Sequence, residues 1–201
     1  MLIRKRLIMF TRIPEPGKTK TRLHPVLTPS EAARLHRKLT EKTVKVAKRL
    51  CKNDVILEVH VTGGTIQSAK EWLGDDLCIK KQHGGNLGQK MSGAFSHAFK
   101  SGVGSVVLIG TDCPDLSGEI LNEAFESLEE NDVVIGPAVD GGYYLIGLRK
   151  YFPGIFENIP WGAGDVFKKT MNRIKSSDLK YHTLTELRDI DRPEDLDFVS
   201  V

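Results

Sequence analysis

Short runs of large apolar residues alternate along the chain with longer segments in which apolar residues recur every three or four positions. An uninterrupted apolar run is typical of a strand buried on both faces of a parallel sheet, and the longer spacing is typical of amphipathic helices. The predicted strands are residues 7–10, 54–61, 77–82, 106–109, 132–137, 143–147 and 180–184. The predicted helices run from the capping sequence at 28–31 to Leu50, then over 65–73, through 91–99, over 119–128 and over 165–174. This alternation predicts an α/β fold.

The apolar run at 106–109 is predicted to be a central strand, and Gly110 ends it. Asp112 and Asp115 follow within six residues. In an open α/β sheet the ligand binds just beyond the carboxyl ends of the strands. A carboxylate there is well placed to hold a cation beside phosphate oxygens, so Asp112 is a candidate metal ligand. Asp115 is interpreted as a turn residue because it lies two positions before Ser117.

The loop at residues 11–23 is strongly basic. Its cations are Arg12, Lys18, Lys20 and Arg22. Four cations beyond a first strand suit a polyphosphate, and a solvated basic loop is the alternative. Gly17 and Lys18 look like the end of a Walker A loop, but the glycine that this motif requires five positions earlier is Arg12. Pro14 and Pro16 also lack the backbone N–H groups that such a loop aims at phosphate, so the sequence argues against a P-loop.

Further polar residues follow other predicted strand ends, and parallel strands would bring these loops together at one edge of the sheet. Gly85 and Asn86 lie in a glycine-rich turn, which either lets a backbone approach a ligand or is a plain strand-to-helix turn. Asp140 precedes two glycines, and Asp189 and Asp191 lie near the C-terminus. Aspartates beside glycine or proline are also common turn and capping residues.

Composition narrows the class of protein. The 201 residues and 40% apolar content fit a single domain over 1–201. A net charge of +3 argues against a dedicated nucleic-acid binder, and the seven cations on the helix ending at Leu50 are interpreted as a solvated face rather than as a contact for nucleic acid or an anionic membrane. Three cysteines without disulfide or zinc spacing favour a reduced, cytoplasmic protein. No apolar run approaches a membrane span, and the stretch at 7–10 is too short for a signal peptide.

Four stretches taken together resemble one family. They are residues 10–23, 110–114, 136–147 and 189–196. The chain resembles the bacterial transferase-1 family of GT-A, or nucleotide-diphospho-sugar transferase, fold, which is often described only as a domain of unknown function and whose members are commonly labelled glycosyltransferases. The resemblance implies a three-layer α/β/α sandwich around a mostly parallel, mixed sheet with one antiparallel strand.

The basic loop and the closing aspartates are also similar, more distantly, to those of phospholactate and molybdenum-cofactor guanylyltransferases. Those relatives bind a nucleoside triphosphate with the first loop. The similarity implies Mg²⁺ at Asp112 together with either Asp189 or Asp191. The chain departs from these patterns in two places: many family members have Trp-Ser-Thr at residues 161–163, where this chain has Trp-Gly-Ala, and the first loop lacks the Gly-x-Gly pattern of sugar nucleotidyltransferases.

Motifs and resemblance together assign candidate residues to four roles. The metal ligands for Mg²⁺ or Mn²⁺ are Asp112, Asp189 and Asp191. The nucleotide-binding candidates are Thr11, Arg12, Pro16, Gly17, Lys18, Lys20, Arg22, Gly85, Asn86, Gly110 and Thr111. The acceptor-binding candidates are Asp140, Gly141, Gly142, Tyr143 and Trp161, with a packing role as the favoured alternative for Trp161. The catalytic candidates are Asp140 and Lys20.

Three functions are compatible with these residues. The favoured one is a glycosyltransferase that moves a sugar from a nucleotide-diphosphate sugar to a small-molecule acceptor, with the metal and the basic loop stabilising the departing diphosphate. The second is a nucleotidyltransferase that joins the nucleoside monophosphate part of a triphosphate to a phosphorylated acceptor and releases pyrophosphate. The third is a non-catalytic nucleotide-binding module. The base, the sugar, the acceptor and the oligomeric state are left open.

Overall fold

The computed structural model describes residues 5–50 and 54–198, so Arg4 and Cys51 lie outside the described ranges. The strands are β1 (Lys5–Arg12), β2 (Val55–Thr62), β3 (Cys78–Lys81), β4 (Ser105–Ile109), β5 (Val133–Pro137), β6 (Tyr143–Leu148) and β7 (Tyr181–Thr183). The helices are α1 (Pro29–Leu50), α2 (Ile66–Leu73), α3 (Leu87–Lys100), α4 (Gly118–Ser127) and α5 (Val166–Ser176), and short 3-10 helices cover Thr21–Leu23, Pro153–Phe156 and Pro193–Phe198. Every predicted strand and helix is present.

The described strands form one sheet in the order β3-β2-β1-β4-β6-β5-β7. Neighbouring strands pair in parallel except at β6, which runs antiparallel to both β4 and β5. The cause is local, because residues 138–142 join β5 to β6 by a tight turn, whereas a parallel crossover needs a dozen or more residues. The mixed α/β sheet confirms the predicted fold class and its antiparallel strand.

Helices cover both faces of the sheet. Apolar side chains of α1, α2 and α4 pack in one cluster, and those of α3 and α5 pack in a second cluster with the other face. All five residues of β4 are buried, and β4 lies between β1 and β6 in the middle of the sandwich. None of the described helices is both long enough and apolar enough to cross a membrane.

The buried face of α1 is not purely apolar. The structure buries His36 and Thr40 there, while the apolar residues Leu35 and Val46 are only half-buried. Thr40 Oγ1 and His36 Nε2 are tolerated inside because they hydrogen-bond to Thr11 and to the carbonyl oxygen of Arg12, whereas His36 Nδ1 is buried without a hydrogen-bond partner among the described residues. All seven cations on the opposite side of α1 are exposed, as expected for a solvated face.

Candidate functional site

A cavity of about 580 Å³ opens at the carboxyl edge of the sheet, where β1, β4 and β5 end and β6 begins. Its walls come from the segment after β4, the turn between β5 and β6, the loop before α5 and the C-terminal segment. The sequence-predicted site residues that line it are Arg22, Gly110, Asp112, Asp140, Gly142, Tyr143, Trp161, Asp189 and Asp191. The fold therefore gathers the predicted acidic residues and most of the predicted acceptor-side residues around one space.

The remaining predicted residues do not line this cavity. They are Thr11, Arg12, Pro16, Gly17, Lys18, Lys20, Gly85, Asn86, Thr111 and Gly141. Most of the predicted nucleotide-binding set belongs to this group, because several of its side chains are committed to contacts within the protein.

Asp112 is held between a lysine and a histidine. Its Oδ1 is buried 2.7 Å from Lys20 Nζ and 3.6 Å from His36 Nδ1, while its side chain as a whole is 45% exposed and lines the cavity. Burial acts to raise the pKa of Asp112, but the Lys20 ammonium and the His36 ring outweigh burial and hold that pKa well below its ordinary value. Asp112 therefore presents a carboxylate to the cavity at physiological pH.

Lys20 is a buried counter-ion and not a cavity residue. Its side chain is 4% exposed, pairs with Asp112 and donates a hydrogen bond to the carbonyl oxygen of Ile190. The Lys20 ammonium faces Asp112 and not the cavity, and its contact with a phosphate stays a prediction. Lys20 acts on the site by fixing and charging Asp112.

Sequence reasoning missed His36. Its Nε2 donates to the carbonyl oxygen of Arg12 at 3.0 Å, which leaves Nδ1 facing Asp112. A signal was available in the sequence, since His36 lies four positions after Ala32 and three before Leu39, on the buried stripe of α1. A histidine on the buried face of a helix needs a polar partner, and here the partner belongs to the site.

A backbone hydrogen bond holds the C-terminal segment against the loop after β4. Ile190 N donates to the carbonyl oxygen of Asp112 at 2.9 Å. Arg22 in turn pairs with Asp191, with 2.5 Å between Arg22 Nη1 and Asp191 Oδ2. These contacts bring the far end of the chain beside the central strand, where a second carboxylate was expected.

Asp189 and Asp191 differ in their surroundings. Asp191 Oδ2 pairs with Arg22, and its Oδ1 lies 4.0 Å from Lys20 Nζ, so its charge is compensated. Asp189 instead lies beside other carboxylates, and burial followed by the charge of Asp140 raises its pKa to about 6. Of the two C-terminal carboxylates, Asp189 is therefore the one whose negative charge is less compensated by neighbouring cations.

The donor set suits a divalent cation that is only partly coordinated by protein. Asp112 and Asp189 both line the cavity, and within residues 5–50 and 54–198 no group of three or more His, Cys, Asp or Glu side chains is arranged to hold a metal. Mg²⁺ commonly takes one or two protein carboxylates and completes its shell with water and substrate phosphates. The unbalanced charge at Asp189 fits such a cation.

Thr11 and Thr111 belong to a buried hydroxyl cluster. Thr11 Oγ1 lies 3.1 Å from Thr40 Oγ1 and 3.4 Å from Thr111 Oγ1, and all three residues are at most 5% exposed. The cluster joins β1, α1 and the segment after β4. It therefore helps to position the loop of Asp112 and offers no free hydroxyl to a nucleotide.

Gly85 and Asn86 cap α3. Asn86 Oδ1 accepts a hydrogen bond from Gln89 N at 2.9 Å, while Gln89 Oε1 accepts from the N–H groups of Gly85 and Asn86. This reciprocal pattern is a capping box, so the plain strand-to-helix turn that the sequence left open is the arrangement in the structure. Lys18 is engaged as well, in an exposed ion pair with Glu15 at 2.7 Å.

The turn between β5 and β6 places Asp140 at the cavity. Asp140 Oδ1 accepts from Gly142 N at 2.7 Å, and the side chain is otherwise exposed. Gly141 has a φ of 86°, and a β-carbon there would lie 1.9 Å from the carbonyl oxygen of Gly164. Glycine is required at Gly141 because the turn packs directly on the loop before α5.

Trp161 has the packing role that the sequence favoured, and it also borders the cavity. The residue is half-buried, packs on the apolar cluster of α3 and α5, and lies edge-on to Tyr143 with 6.4 Å between ring centroids. A β-carbon at Gly88 would lie 2.5 Å from the indole ring, so Trp161 sits against the first turn of α3. It still lines the cavity.

Several further cavity residues had no assigned role in the sequence. They include the apolar residues Phe10, Leu87, Met91, Leu108 and Val139 and the polar residues Arg188, Arg192, Glu194 and Asp195. Cys113 also lines the cavity, but burial and then the charges of Asp189 and Asp112 raise the pKa of its thiol. The thiol therefore stays protonated and is a poor nucleophile.

Comparison with known proteins identifies the family. The sequence matches the protein family described as "Uncharacterized protein conserved in bacteria (DUF2064)" over residues 43–163, more than half of the chain. The chain belongs to this family. No curated protein matches the sequence.

Solved structures extend the comparison to the first loop and the C-terminal segment. A "putative nucleotide-diphospho-sugar transferase" from Desulfovibrio desulfuricans G20 is 35% identical, with a TM-score of 0.88 over 94% of this chain and 82% of that one. The 4-diphosphocytidyl-2C-methyl-D-erythritol synthase of Anaerococcus prevotii DSM 20548 is 14% identical, with a TM-score of 0.64 over 97% and 93%. Rv0371c from Mycobacterium tuberculosis H37Rv, solved with manganese, is 14% identical, with a TM-score of 0.58 over 98% of each chain. The last two show the fold alone, and the expected nucleotide-diphospho-sugar transferase fold is confirmed.

Proposed function

We propose that this protein is a metal-dependent glycosyltransferase that moves a sugar from a nucleotide-diphosphate sugar to a small-molecule acceptor. The observation that carries the proposal is the pair of carboxylates, Asp112 and Asp189, that line one cavity at the carboxyl edge of the sheet. A transferase with a nucleotide-linked substrate is also what the names of the similar structures support. A divalent cation held by these two carboxylates would stabilise the charge that develops on the departing diphosphate.

The protein prepares this site before substrate arrives. Lys20 and His36 keep Asp112 ionised and fix one of its oxygens. The hydrogen bond from Ile190 to Asp112 holds the C-terminal segment, and with it Asp189, against the same cavity. Such preorganised charge costs no rearrangement during the reaction.

Asp140 and Trp161 form the acceptor side. One oxygen of Asp140 is bound by Gly142 N, which orients the carboxylate and leaves its other oxygen free to accept a hydrogen bond or a proton from an acceptor hydroxyl. Trp161 supplies a flat apolar wall beside it.

Glycosyl transfer is favoured over nucleotidyl transfer by the placement of the first-loop lysines. A triphosphate carries more charge than a sugar diphosphate and calls for more cations around it. Lys18 is paired with Glu15 and Lys20 with Asp112, and neither lysine lines the cavity. The loop therefore supplies less free positive charge than its composition indicated.

Product analysis tests the proposal. The protein is incubated with Mg²⁺ or Mn²⁺, panels of nucleotide sugars and nucleoside triphosphates, and a metabolite extract that supplies acceptors. Release of free nucleoside diphosphate from a sugar donor supports glycosyl transfer, whereas pyrophosphate release identifies a nucleotidyltransferase. Asp112→Asn is expected to lower turnover roughly 100-fold, and the exposed Asp178→Asn, a matched control outside the cavity, should retain it. Nucleotide binding without either product would indicate a non-catalytic module.

A further inference from the structure

Three arginines at the cavity are not used by the chemistry proposed above. Arg22 lies in the 3-10 helix Thr21–Leu23, Arg188 and Arg192 lie in the C-terminal segment, and all three line the cavity. Arg22 and Arg192 also line an adjoining depression of about 330 Å³. Guanidinium groups shared by two neighbouring concave surfaces indicate an anionic part of a ligand.

The three guanidinium groups are not equally available. Arg22 pairs with Asp191 at 2.5 Å, and Arg188 Nη1 lies 3.4 Å from Asp195 Oδ1. The guanidinium of Arg192 is exposed and has no ion-pair or hydrogen-bond partner in the part of the chain that the structure describes. Arg192 is thus the cation at this cavity whose charge is open to a ligand.

The backbone that carries Arg192 is nevertheless fixed. Its N–H donates to Asp195 Oδ2 at 2.7 Å, and the same oxygen accepts from Asp191 N at 3.1 Å. Asp195 is only 9% exposed, so a buried carboxylate closes the turn. A side chain displayed from such a turn has less freedom to lose when it binds a ligand.

The first-loop cations other than Arg22 do not compete for this position. Lys20 is buried against Asp112, Lys18 is paired with Glu15, and Arg12 does not line the cavity. A phosphate group in the cavity therefore meets arginines and not lysines. The planar guanidinium matches two phosphate oxygens with two parallel hydrogen bonds, which a lysine ammonium cannot do.

We propose that Arg192, assisted by Arg22, forms the phosphate-binding subsite of this cavity. The inference rests on the proposed function in so far as the ligand is a substrate of the transferase. The phosphate belongs either to the diphosphate of the nucleotide donor or to a phosphate group on the acceptor. Arg22 shares an arriving phosphate with Asp191, whereas Arg192 binds it without giving up a protein partner.

The first experiment measures anion binding without any turnover. Isothermal titration of the full chain with inorganic pyrophosphate, in the absence of divalent metal, compares wild type with Arg192→Gln and Arg192→Lys. Arg192→Gln is expected to weaken pyrophosphate binding about tenfold. Arg192→Lys should recover only part of this loss, because a lysine ammonium cannot donate two parallel hydrogen bonds as a guanidinium does. Arg34→Gln, on the exposed face of α1 and outside the cavity, is the matched control and should bind like wild type. Unchanged thermal unfolding of Arg192→Gln would verify that the fold is intact.

Two further titrations distinguish the sources of the phosphate. Weaker binding of uridine, cytidine, guanosine or adenosine diphosphate to Arg192→Gln would assign the subsite to the donor. Unchanged diphosphate binding, with weaker binding of inorganic phosphate to the nucleotide-saturated variant, would assign it to the acceptor. Equal pyrophosphate affinity of wild type and Arg192→Gln, or no binding to wild type, overturns the subsite even if the transferase assay succeeds. Arginine-dependent binding without transferase products would refute the proposed function alone.

Discussion

Replacing Asp189 by Asn removes one negative charge from a crowded group of carboxylates. Burial and the charge of Asp140 raise the pKa of Asp189 from 3.8 to about 6 in the folded protein. A change of this size corresponds to about 3 kcal/mol if it is transferred completely to stability. Because Asp189 is partly exposed and solvent screens its charge, we expect Asp189→Asn to raise the free energy of unfolding by about 1 kcal/mol near pH 7.5.

The gain in the free energy of unfolding of Asp189→Asn should increase with pH. Since the folded-state pKa of Asp189 lies above its unfolded value, the contribution of this carboxyl group to wild-type stability is complete below pH 3.8 and is lost as the pH rises through about 6. Asn cannot ionise and does not incur this loss. The difference between Asp189→Asn and wild type should therefore be small near pH 4 and reach its full value above about pH 7.

Urea unfolding of the unliganded protein at about pH 4 and pH 7.5 measures the effect. Asp191→Asn is the matched control, because it removes the partner of Arg22 and should lower the free energy of unfolding by about 1 kcal/mol. Added Mg²⁺ should raise the unfolding midpoint of wild type more than that of Asp189→Asn, since a bound cation stabilises the folded state. Destabilisation by Asp189→Asn at pH 7.5, or a gain that persists undiminished at pH 4, would refute the reasoning.

Three other substitutions test a buried ion-pair cluster in the sheet and two close contacts beside the site, each followed by urea unfolding. Glu58→Gln should lower the free energy of unfolding by about 3 kcal/mol at neutral pH, because it breaks the ion pairs of the buried Glu58 carboxylate with Arg6 and Lys80. Burial opposes ionisation of Glu58, but hydrogen bonds and nearby cations lower its pKa from 4.5 to about 2, so wild type should lose this stabilisation as the pH falls from 4.5 towards 2, whereas the variant should not. Gly141→Ala should cost about 3 kcal/mol from a positive φ and a clash with the facing loop, and a neutral result would contradict the close approach. Lys20→Met should cost about 2 kcal/mol by leaving a carboxylate without its counter-ion, while Lys18→Met, which alters an exposed pair, should have no measurable effect; equal effects would argue against a buried Lys20.

The order and type of the elements could be predicted from local sequence. A strand buried on both faces needs a continuous apolar run, and a helix packed on a sheet needs an apolar stripe, so both features appear in neighbouring residues. The same logic placed Asp112 at the carboxyl edge, because the apolar run of β4 ends at Ile109 and the next residues must leave the sheet. The short turn between β5 and β6 also follows from residues that are adjacent in sequence.

The tertiary structure decided which charged side chains face the cavity. Lys20 and Arg22 lie two positions apart in one basic loop, yet Lys20 is buried against Asp112 while Arg22 lines the cavity. The sequence likewise offered Asp189 and Asp191 as equals, and only the folded chain gives Asp191 its cations and Asp189 its neighbouring carboxylates. These differences arise from contacts between segments about 170 residues apart, such as that of Lys20 with Ile190. Periodicity and composition describe a residue's neighbours along the chain, whereas the charge balance of a site is set by its neighbours in space.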